Sequence, residues 1–472
     1  MHSLPTTITE TGALLARGEI SPVALVQAHL ARIAQLDPAL NCFITLTPEL
    51  ALQQARQAEQ EMRAGAYRGP LHGIPLALKD LFETAGVRTT AGSSFFAEYV
   101  PEHDAHVVSK LSDAGAVLLG KTNLHEIALG VTNENPHFGA TCNPWDLRCI
   151  PGGSSGGSAA ALAAGLCLGA LGTDTGGSIR IPAALCGVVG LKPTRGRVSL
   201  CGVIPLSWNL DHVGPMARSV RDAALLLDVL AGYDPDDPWS VDQPVEDYLT
   251  GLEQGVQGWR VALAADDYFT DPAVVDEQVL QAVRQAAQAF AAMGAQVEEA
   301  AFPGARQAAR TNGLITPSDG AAFHRERLQA NPDGFGADVL ARLRTGAAYT
   351  CTEYSLARQA QAILRHQFGQ FFKDYDLLLT PTVPIPAPVR GSADAVERAN
   401  LLTRFTAPFN LSGLPALSVP CGLTREGLPV GLQLVARPWA EARLLRAGWA
   451  FENYQVEHGT AIVYPTISTS RN

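Results

Sequence analysis

The stretch from Pro151 to Arg180, PGGSSGGSAAALAAGLCLGALGTDTGGSIR, constrains the fold most, because it carries two glycine-flanked serines, Ser154 and Ser178. The small residues of 158–166 predict a helix, and the apolar run 167–172 predicts a short strand before a Gly-Gly turn. At a rise of about 1.5 Å per helical residue and about 3.3 Å per strand residue, the two legs have comparable lengths. We therefore expect the two serines to lie near each other at one edge of a sheet.

The second glycine-flanked segment offers a run of backbone donors. Thr175, Gly176, Gly177 and Ser178 precede a predicted helix, IRIPAALCG, and their N–H groups suit a developing oxyanion. Glycine also lets a substrate approach the main chain closely. The alternative is that these glycines serve only tight turns and helix packing. Two Gly-Gly-Ser segments so close together favour the functional interpretation.

A candidate base stands upstream, at the end of the predicted strand 73–80. A lysine in water has a pKa of about 10.4 and is almost wholly protonated at neutral pH. Burial disfavours the charged form and can lower that pKa by up to about 3 to 5 units, which would make Lys79 a base. The alternative is a structural ion pair between Lys79 and Asp80, and the residues alone leave both interpretations open.

Together these segments resemble the amidase signature family, over a range from about Leu14 to about Val435. The resemblance is carried by GGSSGGSAAALAAGLCLGALGTDTGGSIRIPAALCG, by LHGIPLALKDLF and by GAVLLGKTNLHEIALGVTNENPHFGATCNPWD. It implies an α/β amidase signature fold with a central twisted mixed β-sheet sandwiched by helices. It also implies a Ser-cisSer-Lys triad, in which Lys79 is the base, Ser154 the bridging serine on a cis peptide, and Ser178 the nucleophile that forms an acyl-enzyme.

The resemblance assigns further roles. The oxyanion hole would be formed by the amides of Thr175, Gly176, Gly177 and Ser178; the supporting residues would be Ser155, Asp174 and Arg180; the substrate-binding residues would be Gly130, Thr132, Arg342 and Thr403. In the glutaminyl-tRNA amidotransferase A subunits, the position of Arg342 holds the glutamine carboxylate. Thr403 replaces the acidic residue expected to bind the glutamine amine. An exposed helical arginine is the alternative interpretation of Arg342.

Because that acid is replaced, we expect a stand-alone amidase that hydrolyses small or aryl amides, with carbamates (urethanes) or esters also accessible to the same acyl-transfer chemistry. The alternative is a glutaminase-type A subunit of a tRNA-dependent amidotransferase complex. Activity of the purified single chain on a simple aryl amide would separate the two.

Two further motif matches have weaker support. Residues 115–122, GAVLLGKT, satisfy the P-loop pattern, but AVLL predicts a buried strand where the phosphate loop must lie, so a P-loop nucleotide-binding protein is only a distant alternative. Residues 152–157 match G-x-S-x-G twice, but no strand precedes them as an α/β-hydrolase elbow requires. That elbow also requires a histidine such as His212, whereas the amidase pattern requires none.

Composition bounds the remaining predictions. We expect one domain over 1–472, with a helical extension at 1–68, packed on or between subunits, and a catalytic core at 69–465. The formal charge of −11 gives no basic footprint for nucleic acid, and eight dispersed cysteines without a C-x-x-C pair predict neither metal nor cofactor. With no signal segment or long apolar run, we expect a cytoplasmic monomer or homodimer that binds a small-molecule substrate, no nucleic acid and no membrane.

Local signals predict several elements. A helix is capped by Ser21 with Pro22 at its first position, and Pro38 is expected to end it. The segment 259–302 reads strand, helix, strand. Other predicted elements are a helix at 48–64, a helix from 221, largely helical structure at 321–367, and strands at 377–384 and 415–422.

Overall fold

A computed structural model describes residues 5–391, 398–399, 401–465 and 467. In chain order the strands are β1 (Phe43–Leu46), β2 (Pro75–Lys79), β3 (Val117–Thr122), β4 (Glu134–Asn135), β5 (Gly139–Ala140), β6 (Gly169–Thr173), β7 (Val189–Lys192), β8 (Val213–Ala217), β9 (Arg260–Ala264), β10 (Gln296–Ala300), β11 (Leu377–Pro381), β12 (Ala416–Leu423) and β13 (Pro429–Val435). The helices are α1 (Ile8–Ala16), α2 (Pro22–Leu40), α3 (Pro48–Arg63), α4 (His106–Asp113), α5 (Gly156–Ala163), α6 (Arg180–Cys186), α7 (Val220–Leu230), α8 (Asp267–Thr270), α9 (Glu277–Ala292), α10 (Ala305–Phe323), α11 (Arg325–Ala330), α12 (Ala337–Ala348), α13 (Cys351–Phe371), α14 (Ala407–Ser412) and α15 (Glu441–Glu457).

One large mixed sheet organises the described chain. Its strand order is β1-β3-β2-β6-β8-β7-β12-β13-β11-β9-β10, and β4 pairs separately with β5. Parallel pairs join β2 to β3 and to β6, and β9 to β10 and to β11, while the other pairs are antiparallel. This arrangement confirms the expected α/β fold with a central mixed sheet flanked by helices.

The middle of the sheet is buried along its whole length. Every residue of β2, β3, β6, β8, β11 and β13 is buried, as expected for strands that are covered on both faces. Helix α5 is built from Gly, Ser, Ala and one Leu, and all eight of its residues are buried. Such small side chains let its backbone approach the centre of the sheet closely, where the candidate site lies.

The N-terminal helices pack on this core. The backbone N–H groups of Ile8 and Thr9 donate to the carboxylate of Asp222 on α7, each at 2.9 Å. The Ser21 side chain caps α2 as predicted, by accepting a hydrogen bond from Ala24 N–H. Pro38 does not end α2, which continues to Leu40. A proline in the last turn removes one N–H, and the helix instead ends where Asn41 adopts a left-handed conformation with φ of 54°.

Most other element predictions are confirmed, with shifted ends. Strand, helix, strand at 259–302 corresponds to β9, α9 and β10, and the segment 321–367 is mostly helical. The sequence did not predict β7, β8 or β13 as strands. Within the described residues, no helix combines the length and the apolar composition needed to cross a bilayer.

Candidate active site

The helix and strand between the two serines bring them together. Helix α5 begins directly after Ser155, and β6 returns to Thr173 at the same edge of the sheet. The backbone N–H of Ser155 donates to the carbonyl of Ser178 at 3.2 Å. The helix starts two residues earlier than predicted and the strand two residues later, but the return of the chain is as expected.

Lys79 ends β2 and is fully buried. Its Nζ donates to Ser154 Oγ and to Thr173 Oγ1, each at 2.7 Å. The peptide bond between Gly153 and Ser154 is cis. The alternative of a Lys79–Asp80 ion pair does not match the structure, because the Asp80 carboxylate lies 3.2 Å from Lys121 Nζ instead.

The environment of Lys79 favours its neutral form. Burial lowers the pKa of Lys79 to about 7, although the charges of Asp211 and Asp174 act in the opposite direction. A substantial fraction of this amine is therefore uncharged at neutral pH and can accept a proton from the hydroxyl in contact with it.

A buried ion pair braces the loop between β6 and α6. Asp174 accepts hydrogen bonds from Arg180 Nη2 at 2.9 Å and from Arg180 Nε at 3.0 Å, and it also accepts from Asn410. Burial opposes ionisation of Asp174, but the charge and hydrogen bonds of Arg180 outweigh it and hold the pKa of this carboxyl well below its usual range. Ser155 adds a second link, since its hydroxyl donates to the carbonyl of Thr173 at 3.2 Å.

The loop carbonyls are held, while the loop amides are not. Thr406 Oγ1 donates to the Gly176 carbonyl at 2.6 Å, and Asn312 Nδ2 donates to the Thr175 carbonyl at 3.0 Å. Within the described residues, the N–H groups of Gly176, Gly177 and Ser178 donate no hydrogen bond. Gly177 has φ of 138°, and a Cβ there would lie 2.2 Å from Thr406 Oγ1, so this position requires glycine. The geometry leaves free donors for an oxyanion.

A pocket of about 290 Å³ opens over this loop. Its walls include the candidate residues Gly130, Thr175, Gly176, Ser178, Arg342 and Thr403. Thr132 is not among the residues that line it. Its hydroxyl lies 3.3 Å from His125 Nδ1 and accepts a hydrogen bond from Glu134 N–H, so the neighbouring Val131 faces the pocket instead.

Several residues of this site were missed from the sequence. Thr173 contacts the candidate base, and Asn312, Thr406 and Asn410 fix the loop. Thr406 and Asn410 are buried polar residues within an otherwise apolar segment, FTAPFNL. Their position among apolar residues is the sequence signal that could have identified them.

The competing motifs are also located. Six of the eight P-loop-like residues form the buried strand β3, as the sequence predicted. His212 Nδ1 lies 2.7 Å from the carbonyl of Leu210, and in the described chain this histidine forms no hydrogen bond with Ser154 or Ser178. The first observation argues against a phosphate-binding loop, and the second argues against a serine that is activated by a histidine.

The similarity to known proteins covers nearly the whole chain. The family model described as Amidase matches residues 24–445. The A subunit of the glutamyl-tRNA(Gln) amidotransferase from Geobacter sp. (strain M21) is 42% identical over 96% of this chain and 98% of its own length. The A subunit of the same enzyme from Myxococcus xanthus (strain DK1622) is 44% identical over 94% of this chain and 96% of its own. A solved chain from a vestigial protein complex that reveals the origins of an s-triazine catabolic enzyme has a TM-score of 0.90 and 36% identity, covering 96% of this chain and 99% of its own.

These relatives correct two expectations. The prediction of a stand-alone amidase for small or aryl amides is wrong, because the relatives at 42–44% identity are subunits of an amidotransferase named for a charged tRNA. The prediction of a small-molecule substrate as the only partner, without nucleic acid, is wrong for the same reason. A single replacement, at Thr403, is weaker evidence than identity of 42–44% along nearly the whole chain. The matched family model and the full-length relatives show that the chain is an enzyme of the amidase signature family.

Proposed function

We propose that this chain is the glutaminase-type A subunit of a tRNA-dependent amidotransferase complex. The observation that carries the proposal is identity of 42–44% with A subunits of such enzymes over at least 94% of this chain. In this role the chain cleaves the side-chain amide of glutamine, and the released ammonia is used on a charged tRNA that partner chains hold. We propose a cytoplasmic location, where charged tRNA is used.

The reaction begins at Lys79. Its neutral amine accepts a proton from Ser154 Oγ, with which it is in contact at 2.7 Å, and Ser154 accepts the proton of Ser178. Ser178 Oγ then attacks the carboxamide carbon. The described residues show no hydrogen bond between the two serine hydroxyls, and we expect it to form when substrate binds, since catalytic hydrogen bonds often tighten only in the complex.

The loop before α6 stabilises the oxyanion, and the proton relay protonates the leaving group. The amides of Thr175, Gly176, Gly177 and Ser178 stabilise the negative oxygen of the tetrahedral intermediate. When the C–N bond breaks, the proton returns through Ser154 to the leaving nitrogen, and ammonia departs. Water, activated by the same relay, then hydrolyses the ester on Ser178 and releases glutamate.

The pocket supports a small amide donor of amino-acid size. Arg342 in its wall provides a cation for the substrate carboxylate, and Thr403 provides a hydroxyl where an acid would bind the amine. A hydroxyl is a weaker ligand for an ammonium group than a carboxylate is, because it lacks the negative charge that attracts the ammonium. We therefore propose that glutamine binds with a high KM, and that Thr403→Asp lowers it.

The test uses the complete assembly. This chain is co-expressed with the remaining subunits of the Geobacter or Myxococcus enzyme, and ammonia release from glutamine and formation of glutaminyl-tRNA are measured. We expect both activities in the complex and neither in the same complex carrying Ser178→Ala. The proposal is refuted if the assembled complex releases no ammonia from glutamine while the chain alone hydrolyses a simple aryl amide.

A further inference from the structure

A second pocket, distinct from the one over Ser178, is unusually basic for an acidic chain. Its volume is about 410 Å³, and it is lined by Arg195, Arg358 and Arg365 together with Trp239 and Trp439. It shares no lining residue with the pocket over Ser178, and none of its lining residues is acidic. The protein as a whole carries a formal charge of −11, so three arginines at one concavity need an explanation.

These arginines form no direct ion pair with a carboxylate of the described chain. Arg195 donates to the backbone carbonyls of Trp208 and Asn209, and Arg365 Nε donates to the Leu411 carbonyl at 3.1 Å. The Nη1 of Arg358 is buried and has no hydrogen-bond partner in the part of the chain that the structure describes. Their contacts are thus with neutral carbonyls, or are missing, rather than with carboxylates.

The acids around this pocket accept hydrogen bonds from other groups: Asp319 accepts from the lining residue Asn209, and Glu441 accepts from the N–H of the lining residue Thr194. Asp211 and Asp237 are the carboxylates that act on Arg195 through space. Asp211 accepts hydrogen bonds from Thr175 Oγ1 and from two backbone N–H groups, while Asp237 accepts from the N–H groups of Leu200 and Trp239. None of these carboxylates forms an ion pair with Arg195, Arg358 or Arg365 in the described chain, and burial together with the charges of Arg195 and Arg358 lowers the pKa of Arg365 to about 10.

We propose that this pocket is a binding site for a phosphate monoester. Such a group carries about −1.5 to −2 charges at pH 7 and three acceptor oxygens, which match three guanidinium groups. A carboxylate carries one charge and two oxygens and would leave guanidinium donors unmatched. Arginine binds phosphate through paired N–H groups, which adds geometric specificity.

Trp239 indicates what the phosphate is attached to. Its side chain remains 43% exposed at the wall of the pocket, whereas the ring of Trp439 has the Arg197 guanidinium over it at 4.7 Å. An exposed indole beside a phosphate site offers a surface on which a nucleobase can stack. The ligand class is therefore a nucleoside monophosphate, with inorganic phosphate as the simpler source of the same group.

Isothermal titration calorimetry of the full chain at low salt tests the site, with AMP, inorganic phosphate and adenosine as ligands. We expect AMP and phosphate to bind, and adenosine, which lacks the phosphate, to bind at least about tenfold more weakly than AMP. AMP binding tighter than phosphate identifies a nucleotide ligand, and equal affinities identify free phosphate; both support the site. Absence of binding by AMP and by phosphate at millimolar concentration, or equal binding of AMP and adenosine, overturns it.

Arg358→Gln provides the specific variant, because this side chain makes no hydrogen bond or ion pair with the described residues and its loss should not disturb the fold. We expect it to weaken AMP binding by about tenfold or more, since a hydrogen bond to a charged group is lost. Arg284→Gln, on the exposed side of α9, is the matched control and should leave affinity unchanged. Unchanged affinity in Arg358→Gln, or an equal loss in Arg284→Gln, would contradict the proposal. Since the measurement is binding, its result does not depend on the proposed amidotransferase role.

Discussion

Lys79 and Lys121 are two fully buried lysines on the adjacent parallel strands β2 and β3, and Leu78 lies beside Lys121 in the register. Their surroundings differ. Lys121 Nζ lies 3.2 Å from the Asp80 carboxylate and also donates to the Phe82 carbonyl and to Thr89 Oγ1. Among the described residues, Lys79 Nζ donates only to the two hydroxyls of Ser154 and Thr173. Depth in the protein is the same, and the neighbouring groups decide what each lysine does.

The difference is electrostatic. Burial lowers the pKa of both lysines, but for Lys121 the adjacent charge of Asp80 opposes that effect directly. The carboxylates that act on Lys79, Asp211 and Asp174, are engaged by other partners, and its pKa falls to about 7. A buried lysine with a carboxylate in contact is a structural cation, and one with only hydroxyls in contact is suited to proton transfer.

The largest expected effect on catalysis is at Ser178, the nucleophile to which the proton relay from Lys79 leads. Ser178→Ala should reduce kcat by about 10⁴-fold or more, since loss of a nucleophile leaves only binding and oxyanion stabilisation. The loop should keep its conformation, because Asp174 and Arg180 hold it without the serine hydroxyl. Steady-state ammonia release and a thermal melt measure the two quantities. Labelling by a serine-directed phosphonate at another residue would contradict the assignment.

Lys79→Arg should reduce kcat/KM by about 10²- to 10⁴-fold, which is the contribution typical of a general base. A guanidinium stays protonated at any usable pH and cannot accept the proton of Ser154. The variant is assayed against Lys79→Met, which should be equally inactive. Near-native turnover in a folded Lys79→Arg protein would show that Lys79, like Lys121, is a structural cation and not a base.

At Lys121 the expected effect is on stability. Lys121→Met should lower the free energy of unfolding by about 3 to 5 kcal/mol, because it leaves the buried Asp80 without its cation. Lys79→Met removes no contacting ion-pair partner and should cost less. Denaturant unfolding of both variants measures the difference, and Lys121→Met combined with Asp80→Asn should recover part of the loss. Equal destabilisation by the two single variants would show that Lys79 is also a structural cation.

The smallest expected effect is that of chelators, which should leave activity unchanged. In the described chain, no three His, Cys, Asp or Glu side chains are grouped so that they could hold a metal ion. Activity is compared before and after dialysis against EDTA. Loss of activity in EDTA and its return with zinc would mean that a metal, rather than Lys79, activates the nucleophile.

The sequence predicted those parts of the site in which the reactive residues lie within a clear local helix or strand pattern. The Gly-Ser segments predicted that the two serines lie near each other at one edge of the sheet, and the alternating strand predicted burial of Lys79. The sequence could not decide between Asp80 and a hydroxyl as the partner of Lys79, since that choice depends on how β3 registers beside β2. It also missed Asn312 and Asn410, because they reach the loop from segments more than a hundred residues away.

The pH dependence of kcat/KM for ammonia release tests the account most directly. Protonated Lys79 cannot start the relay, so kcat/KM should rise with pH through a single ionisation near the pKa of about 7 and level off above it. Lys79→Met should abolish this rise along with most of the rate. A profile that stays flat across neutral pH, or the same rise in Lys79→Met, would contradict the assignment of Lys79 as the base.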